Sequence, residues 1–409
     1  RGPFGSGVDD DRLAVPIRWD RVYWMDPGLS TRPRTDTGAA VSVLLPLPLI
    51  APYDYLVPED MTIETGSYVE VPLGARRAIG VVWGPARGDV DPEKLREISA
   101  LIDLPPMPRD LCRFVEWVAG YTLARLGSVL RMTMSVPRAL EPPKVTTVYR
   151  LAPGLDVKSE SLPGGARLTD ARRRVLTVLD DGRARHSAEI AKAADTSASV
   201  IRGMADAGAL QPIAVQEDKP IDPPDPDRDG AVLSDAQAAA AKDLIDGASD
   251  GYSVTLLDGV TGSGKTEVYF EAIAAALRDG RQVIVLLPEI ALTADWLDRF
   301  QRRFGTPPVV WHSDLPMSER RRNWRAVLRG EAKLVVGARS ALMLPFRDLG
   351  LIVIDEEHDP SFKQDEGVIY NARDMAVVRA HIGDFPVILS SATPSLETVD
   401  NVWRGKYRR

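Results

Sequence analysis

Between residues 41 and 83 apolar residues fall in short alternating runs broken by Pro and Gly. The runs are Val41-Ser42-Val43-Leu44-Leu45, Tyr53-Asp54-Tyr55-Leu56-Val57, Tyr68-Val69-Glu70-Val71 and Ala78-Ile79-Gly80-Val81-Val82-Trp83. A period of two predicts strands with one buried face, and the turn residues between them predict a small β-barrel. The period changes near Arg109, where Leu111, Phe114, Val115 and Val118 recur at helical spacing as far as Leu123. The chain up to Arg138 is expected to fold back on the barrel, giving one unit over 41–140. Residues 1–40 lack clear periodicity and are read as an N-terminal extension, a candidate for disorder.

A second module is predicted over 145–218. Val145–Leu151 reads as a strand, and Leu168–Leu179 as a helix with Leu168, Val175, Leu176 and Leu179 apolar. Ser187 is expected to cap a helix containing Ile190 and Ala191, and Ser197–Ala207 gives another, closed by Gly208. With Leu210-Gln211-Pro212-Ile213 following, the pattern predicts a winged helix-turn-helix. Such modules either bind DNA or only pack, and both readings stay open. Pro220, Pro223, Pro224 and Pro226 then stand among Asp residues, so 219–230 reads as a stiff extended linker. From 231 to 409 strands and helices alternate, the signature of a parallel sheet covered on both faces.

The most informative segment of that last region is Gly259-Val-Thr-Gly-Ser-Gly-Lys-Thr266. It fits G-x-x-x-x-G-K-[ST], with the apolar run Val254–Leu257 before it and a helical stretch from Glu267 to Arg278 after it. Strand, glycine loop and helix together predict a phosphate-binding P-loop rather than an ordinary turn. Gly259, Thr261, Gly262, Ser263 and Gly264 would present backbone N–H groups to ATP, Lys265 a positive charge, and Thr266 a hydroxyl to Mg²⁺. The fold class expected is therefore α/β multidomain, with an N-terminal β-barrel, a winged helix and a P-loop (RecA-like) parallel-sheet lobe.

Further clusters follow in order. Leu351–Ile354 is an apolar strand ending in Asp355-Glu356-Glu357-His358. A carboxylate at a strand's C-terminal end lies beside the P-loop in such sheets, so Asp355 is expected to hold Mg²⁺ and Glu356 to polarise the attacking water. Val387–Leu389 runs into Ser390-Ser391-Ala392-Thr393, small hydroxyl residues suited to sensing the nucleotide. Leu287–Thr293 and Gly337-Ala338-Arg339-Ser340 follow two other strands, where N–H groups, hydroxyls and Arg339 could grip DNA phosphates. Gln237, in Ser234-Asp235-Ala236-Gln237, is either an adenine reader or part of a helix cap.

Composition changes this picture little. The 409 residues are 44% hydrophobic and 27% charged, as in soluble globular proteins, and suffice for two to four domains. No apolar run reaches the ~18 residues of a membrane span, and no signal pattern opens the chain, so a cytoplasmic location without membrane partners is expected. The net charge of −7 argues weakly against nucleic acid, though a local basic stripe overrides a global balance. The single cysteine, Cys112, excludes disulfides and any thiolate-rich metal site within these residues, and is read as a core position. The missing initiator Met and the stop at Arg409 read as cut ends.

The set GVTGSGKTE, LPEIALT, GARSAL, VIDEEHD and SSATPS resembles the superfamily-two helicases of replication restart, the primosomal protein N-prime family. The run from Asp355 through Gln364 to Tyr370-Asn-Ala-Arg-Asp374 discriminates most, and with Pro58–Met61 and Val71–Gly74 the resemblance covers about 41–409. It implies an ATP- and Mg²⁺-dependent 3′→5′ DNA helicase that recognises stalled forks through the nascent 3′ end and initiates primosome assembly. The alternative is a fork-binding platform without helicase activity. Tyr53-Asp54-Tyr55 matches the family's 3′-end-reading triplet: aromatic faces stack a base and a carboxylate accepts from the 3′-OH. Phe362, Lys363, Gln364, Tyr370, Arg373 and Asp374 match an aromatic-rich loop that couples DNA binding to hydrolysis. Ala338, Asp314, Val368 and Ile369 depart from the pattern. The family continues into a zinc-binding cysteine cluster and a second motor lobe with an arginine finger, beyond these residues. One lobe alone is therefore expected to bind ATP but turn it over poorly, and to bind DNA without unwinding it. Implied partners are forked DNA with a 3′-OH end, single-stranded DNA, single-strand-binding protein and other primosome proteins, with the protein itself a monomer.

Overall fold

The structure is a computed structural model and describes residues 39–141, 145–155, 162–163, 167–216, 220–248, 251–288 and 294–409. The N-terminal extension and the Glu289–Thr293 part of the Leu287–Thr293 cluster lie outside the described residues.

The first unit is a five-stranded antiparallel sheet. Its strands are β1 (Ala40–Leu44), β2 (Tyr53–Leu56), β3 (Tyr68–Leu73), β4 (Arg76–Pro85) and β5 (Ala100–Leu101), in the order β2-β1-β4-β3-β5. Its two edges meet: Leu56 N donates to Arg96 O (2.9 Å) and Ile98 N to Leu56 O (3.0 Å). This seam wraps the sheet around Val41, Val43, Tyr55, Val69, Val71 and Val82. Two helices follow, α1 (Arg109–Thr122) and α2 (Leu126–Thr133).

The chain up to Arg138 reaches beyond the barrel as well. Leu111, Phe114, Val118 and Leu130 share one continuous core with Trp324, Phe346, Ile352 and Met375 of the last unit. The apolar stripe of α1 looks like that of any surface helix, so its sequence does not say that a second unit covers it.

The second unit comprises β6 (Val145–Leu151), α3 (Asp170–Leu179), β7 (Arg185–His186), α4 (Ser187–Ala193), α5 (Ala198–Asp206) and β8 (Leu210–Gln216). Its sheet order is β7-β6-β8, and it closes over its own core of Val175, Leu179, Ile190, Ile201 and Met204. Ser187 is the first helical residue rather than the cap. His186 is the cap, and its backbone N–H donates to the Glu189 carboxylate (3.4 Å). The proline-rich stretch is extended but not free. Asp225 N bonds Phe304 O (2.9 Å), Arg303 Nη1 donates to Arg228 O (2.6 Å), and Asp227 pairs with Arg278 (2.7 Å).

The last unit contains α6 (Asp235–Ala248), β9 (Val254–Asp258), α7 (Lys265–Arg278), β10 (Gln282–Leu286), α8 (Ala294–Phe304), β11 (Val309–Trp311), α9 (Met317–Arg329) and β12 (Leu334–Gly337). It continues with β13 (Leu349–Asp355), the hairpin strands β14 (Lys363–Gln364) and β15 (Tyr370–Asn371), α10 (Ala372–Gly383), β16 (Val387–Ser391) and α11 (Leu396–Trp403). Six of these strands form a parallel sheet in the order β11-β12-β10-β13-β16-β9. Fully buried runs such as Val283–Leu286 and Ile352–Ile354 are what a sheet covered on both faces requires.

The junction of the first and last units is built around two buried arginines. Arg379 of α10 lies over the rings of Phe114 (5.7 Å) and Phe346 (5.6 Å) and donates to Leu342 O and Leu344 O (2.9 Å). Burial pulls its guanidinium down to about 10, opposed by the nearby Asp110 carboxylate. Arg325 donates to Ala139 O (2.8 Å), and Trp324 Nε1 to Thr133 O (2.9 Å). Trp324 also meets the Tyr68 ring edge-on at 5.9 Å, reaching the barrel itself.

Candidate nucleotide and DNA sites

β9 feeds the loop Gly259–Gly264, and α7 begins at Lys265. Gly262 (φ +79°) and Gly264 (φ +84°) occupy left-handed backbone, which turns successive N–H groups to one side. A Cβ at 264 would collide with the Gln237 amide. The N-terminus of α7 opens on the same loop, adding its partial positive charge. Lys265 Nζ donates back to Gly259 O (2.8 Å) and Val260 O (3.4 Å), so its ammonium sits over the loop. Ser263 N bonds Val260 O (3.1 Å), and Thr261 is exposed at the tip. Gln237 accepts from Ser234 N (2.8 Å) through its side chain, and its Nε2 donates to Ser263 O (2.9 Å). Its amide therefore caps α6 and braces the loop at once.

Asp355 ends β13 and Ser391 ends β16, with Asp355 paired to Ser390 and Ser391 to Asp258 of β9. P-loop and carboxylate thus leave the same end of the sheet, one strand apart. Asp355 Oδ1 accepts from Ser390 Oγ (2.7 Å) and Glu356 N (3.1 Å), and Oδ2 from the Tyr269 hydroxyl (3.0 Å). Tyr269 lies four residues after Lys265 on α7, so this bond connects the P-loop helix directly to Asp355. Burial pushes its phenol well above the ordinary range, so it stays an O–H donor. Glu356 has left-handed backbone (φ +50°), a conformation costing about 1–3 kcal/mol in a non-glycine residue, and its carbonyl accepts from Asp359 N (2.8 Å). His358 Nδ1 lies 2.8 Å from Ser391 Oγ and 3.6 Å from Glu356 Oε2.

The oxygen donors here suit Mg²⁺, which takes one or two carboxylates together with phosphate oxygens. Thr266 and Asp355 are the side chains that would hold it. Among the described residues no group of three His, Cys, Asp or Glu could hold a metal ion.

Sequence reasoning passed over Glu357. It is only 2% exposed and accepts from Ser395 N (2.7 Å), Ser395 Oγ (3.0 Å), Thr398 Oγ1 (3.0 Å) and Arg373 Nη1 (3.2 Å). Arg373 also pairs with Asp374 (2.9 Å) and donates to Ser395 Oγ (2.6 Å). It therefore pins α10 to the Asp355–His358 turn through its Nε and Nη1 groups.

The residues read as DNA contacts divide by exposure. Tyr53 is 44% exposed at the start of β2, while Tyr55 is 5% exposed in the barrel core, its hydroxyl on Pro72 O (3.1 Å). Asp54 accepts from Ser42 Oγ (2.7 Å) and Gly88 N (3.0 Å), one bond per oxygen, which leaves lone pairs on both. Ser340 and Lys363 are exposed, with Lys363 beside Asp365 (3.1 Å). Arg339 Nη1 donates to Ser361 O (3.0 Å) and Lys363 O (2.7 Å), clamping the aromatic-rich segment. Phe362 and Tyr370 are buried, and burial pushes the Tyr370 phenol up to about 12. Val368 is buried and Ile369 59% exposed at the hairpin's edge. Ala338 N reaches Trp311 O (3.3 Å). Asp314 is not among the positive-φ residues, so no glycine is needed there.

A phosphate cradle with a carboxylate one strand away, on a six-stranded parallel sheet, defines a P-loop motor lobe, here fused to an antiparallel barrel. Residues 234–402 match the DEAD/DEAH box helicase family, and residues 42–135 match the 3′DNA-binding domain (3′BD) family. The chain is 32% identical over 370 residues to Replication restart protein PriA of Rickettsia conorii, covering 90% of this chain and 44% of that one. The same protein of Haemophilus influenzae is 35% identical over 376 residues (90% and 51%), and that of Bacillus subtilis 32% over 434 (87% and 53%). The chain is similar to these replication-restart PriA proteins over about nine-tenths of its own length and spans about half the length of the curated relatives it matches. Among solved structures, the Pyrococcus furiosus Hef helicase domain aligns with a TM-score of 0.32 at 20% identity, covering 42% of this chain and 37% of that one.

Proposed function

We propose that this chain is the fork-recognising and nucleotide-binding part of an ATP-dependent 3′→5′ DNA helicase that starts primosome assembly at stalled forks. The observation that carries the reading is the fused core: α1 and α2, which follow the barrel, are also packed into the motor sheet. A DNA end held by the barrel is then held in fixed register with the nucleotide pole.

At that pole the loop N–H groups and Lys265 bind the phosphates, and Thr266 and Asp355 hold Mg²⁺. The bound ion neutralises charge on the phosphates. Glu356 orients the attacking water, and His358 with Ser391 carries the state of the site into β16. In the barrel, Tyr53 stacks the terminal base and Asp54 accepts from the 3′-OH. Tyr55 supports the strand from beneath. Arg339 and Ser340 with Lys363 line the path of the single strand, while Phe362, Tyr370 and Arg373 keep that segment rigid. Gln237 holds the P-loop in shape next to the adenine position. Single-strand-binding protein and other primosome proteins are the partners of the same reading. No helix among the described residues is long and apolar enough to cross a membrane.

The test is ATP hydrolysis by the full-length protein on a fork with a free 3′-OH. Stimulation by the fork that Lys265→Ala abolishes supports the motor. Fork rescue in cells that survives Glu356→Gln would instead favour a platform that never hydrolyses ATP.

A further inference from the structure

Tyr269 is fully buried, and its ring alone would satisfy the packing with Phe270 (5.4 Å). A phenylalanine would serve that purpose. The hydroxyl is nevertheless engaged as both donor and acceptor. It donates to Asp355 Oδ2 (3.0 Å) and accepts from Trp296 Nε1 (2.9 Å). A phenol has one hydrogen, and here it is committed to Asp355. That hydrogen turns Oδ2 of Asp355 toward α7, so one side chain sets the orientation of the carboxylate expected at the metal.

The bond that the hydroxyl accepts comes from outside the pole. Trp296 belongs to α8, which is zipped to α7 by Arg299–Glu267 (2.8 Å) and Arg303–Glu271 (3.1 Å). Trp296 stacks on Phe300 (5.7 Å, 13°), so its indole N–H is aimed by packing rather than by solvent.

We propose that Tyr269 is a positioning residue that presents Asp355 to Mg²⁺, and that Trp296 makes this presentation depend on the seating of α8. The proposal rests on the reading that Asp355 holds the metal. It adds a named relay from a neighbouring helix to that carboxylate.

The experiment is a titration of a fluorescent ATP analogue against the full chain, with Mg²⁺ varied from chelated to saturating and thermal unfolding followed in parallel. Tyr269→Phe should raise the Mg²⁺ needed for half-maximal tightening about tenfold, the loss of one hydrogen bond to a charged group, at unchanged affinity in chelator. Trp296→Phe should shift it the same way by less, and the double variant should be no worse than Tyr269→Phe alone. A Tyr269→Phe protein with the wild-type Mg²⁺ requirement, or one weakened equally with and without Mg²⁺, overturns the proposal. A wild-type protein whose nucleotide binding ignores Mg²⁺ overturns the metal assignment as well.

Discussion

The barrel–motor junction and the nucleotide pole are held together by a different balance of packing and hydrogen bonding. At the junction, Trp324, Phe346, Phe114 and the Arg379 guanidinium fill one buried core. At the pole, Asp355, Ser390, Tyr269, His358 and Ser391 meet through hydrogen bonds between short side chains. Close-packed interiors transmit displacement rather than absorb it. The shared core therefore gives the barrel a continuous packed connection to the sheet. The winged-helix-like unit, with its own core, shares neither arrangement.

Four substitutions would break or sharpen this contrast. Trp324→Ala should be the most damaging, costing about 3–5 kcal/mol of folding free energy and loosening barrel and motor together, seen as a lower melting temperature. Lys265→Ala should leave melting unchanged and weaken ATP binding on the order of 10²-fold, the scale of losing one fixed electrostatic donor, as read by calorimetry. In the barrel, Tyr53→Ala should reduce affinity for a 3′-ended strand by about 1–3 kcal/mol, the range for one stacked base, in an anisotropy assay. The smallest effect belongs to Tyr55→Phe, which removes only the bond to Pro72 O and should cost about 1 kcal/mol of stability with DNA affinity unchanged.

The same contrast explains what the sequence made legible. The P-loop, β13 and β16 could be read because each is local: a glycine pattern after one apolar run, or a carboxylate ending another. Tyr269 and Asp355 stand 86 positions apart, and no spacing along α7 announces their bond. Glu357 follows Glu356 and carries the same charge, yet only the fold of the turn sends it inward to Ser395 and Thr398. Arg325 and Arg379 look like the polar side of amphipathic helices until a second unit covers them. Tyr53 and Tyr55 share one face of β2, and a period of two treats them alike. The structure separates them by position, since Tyr53 begins the strand and Tyr55 lies over the barrel core.

The most direct test of the packed connection is the affinity of the nucleotide pole for an ATP analogue with Mg²⁺, measured with a fork bearing a 3′-OH and with the same fork bearing a 3′-phosphate. If Asp54 reads the end and the fused core carries that reading, the 3′-OH fork tightens nucleotide binding and the 3′-phosphate fork does so far less. Equal effects from the two forks, or none from either, would contradict a connection between barrel and motor.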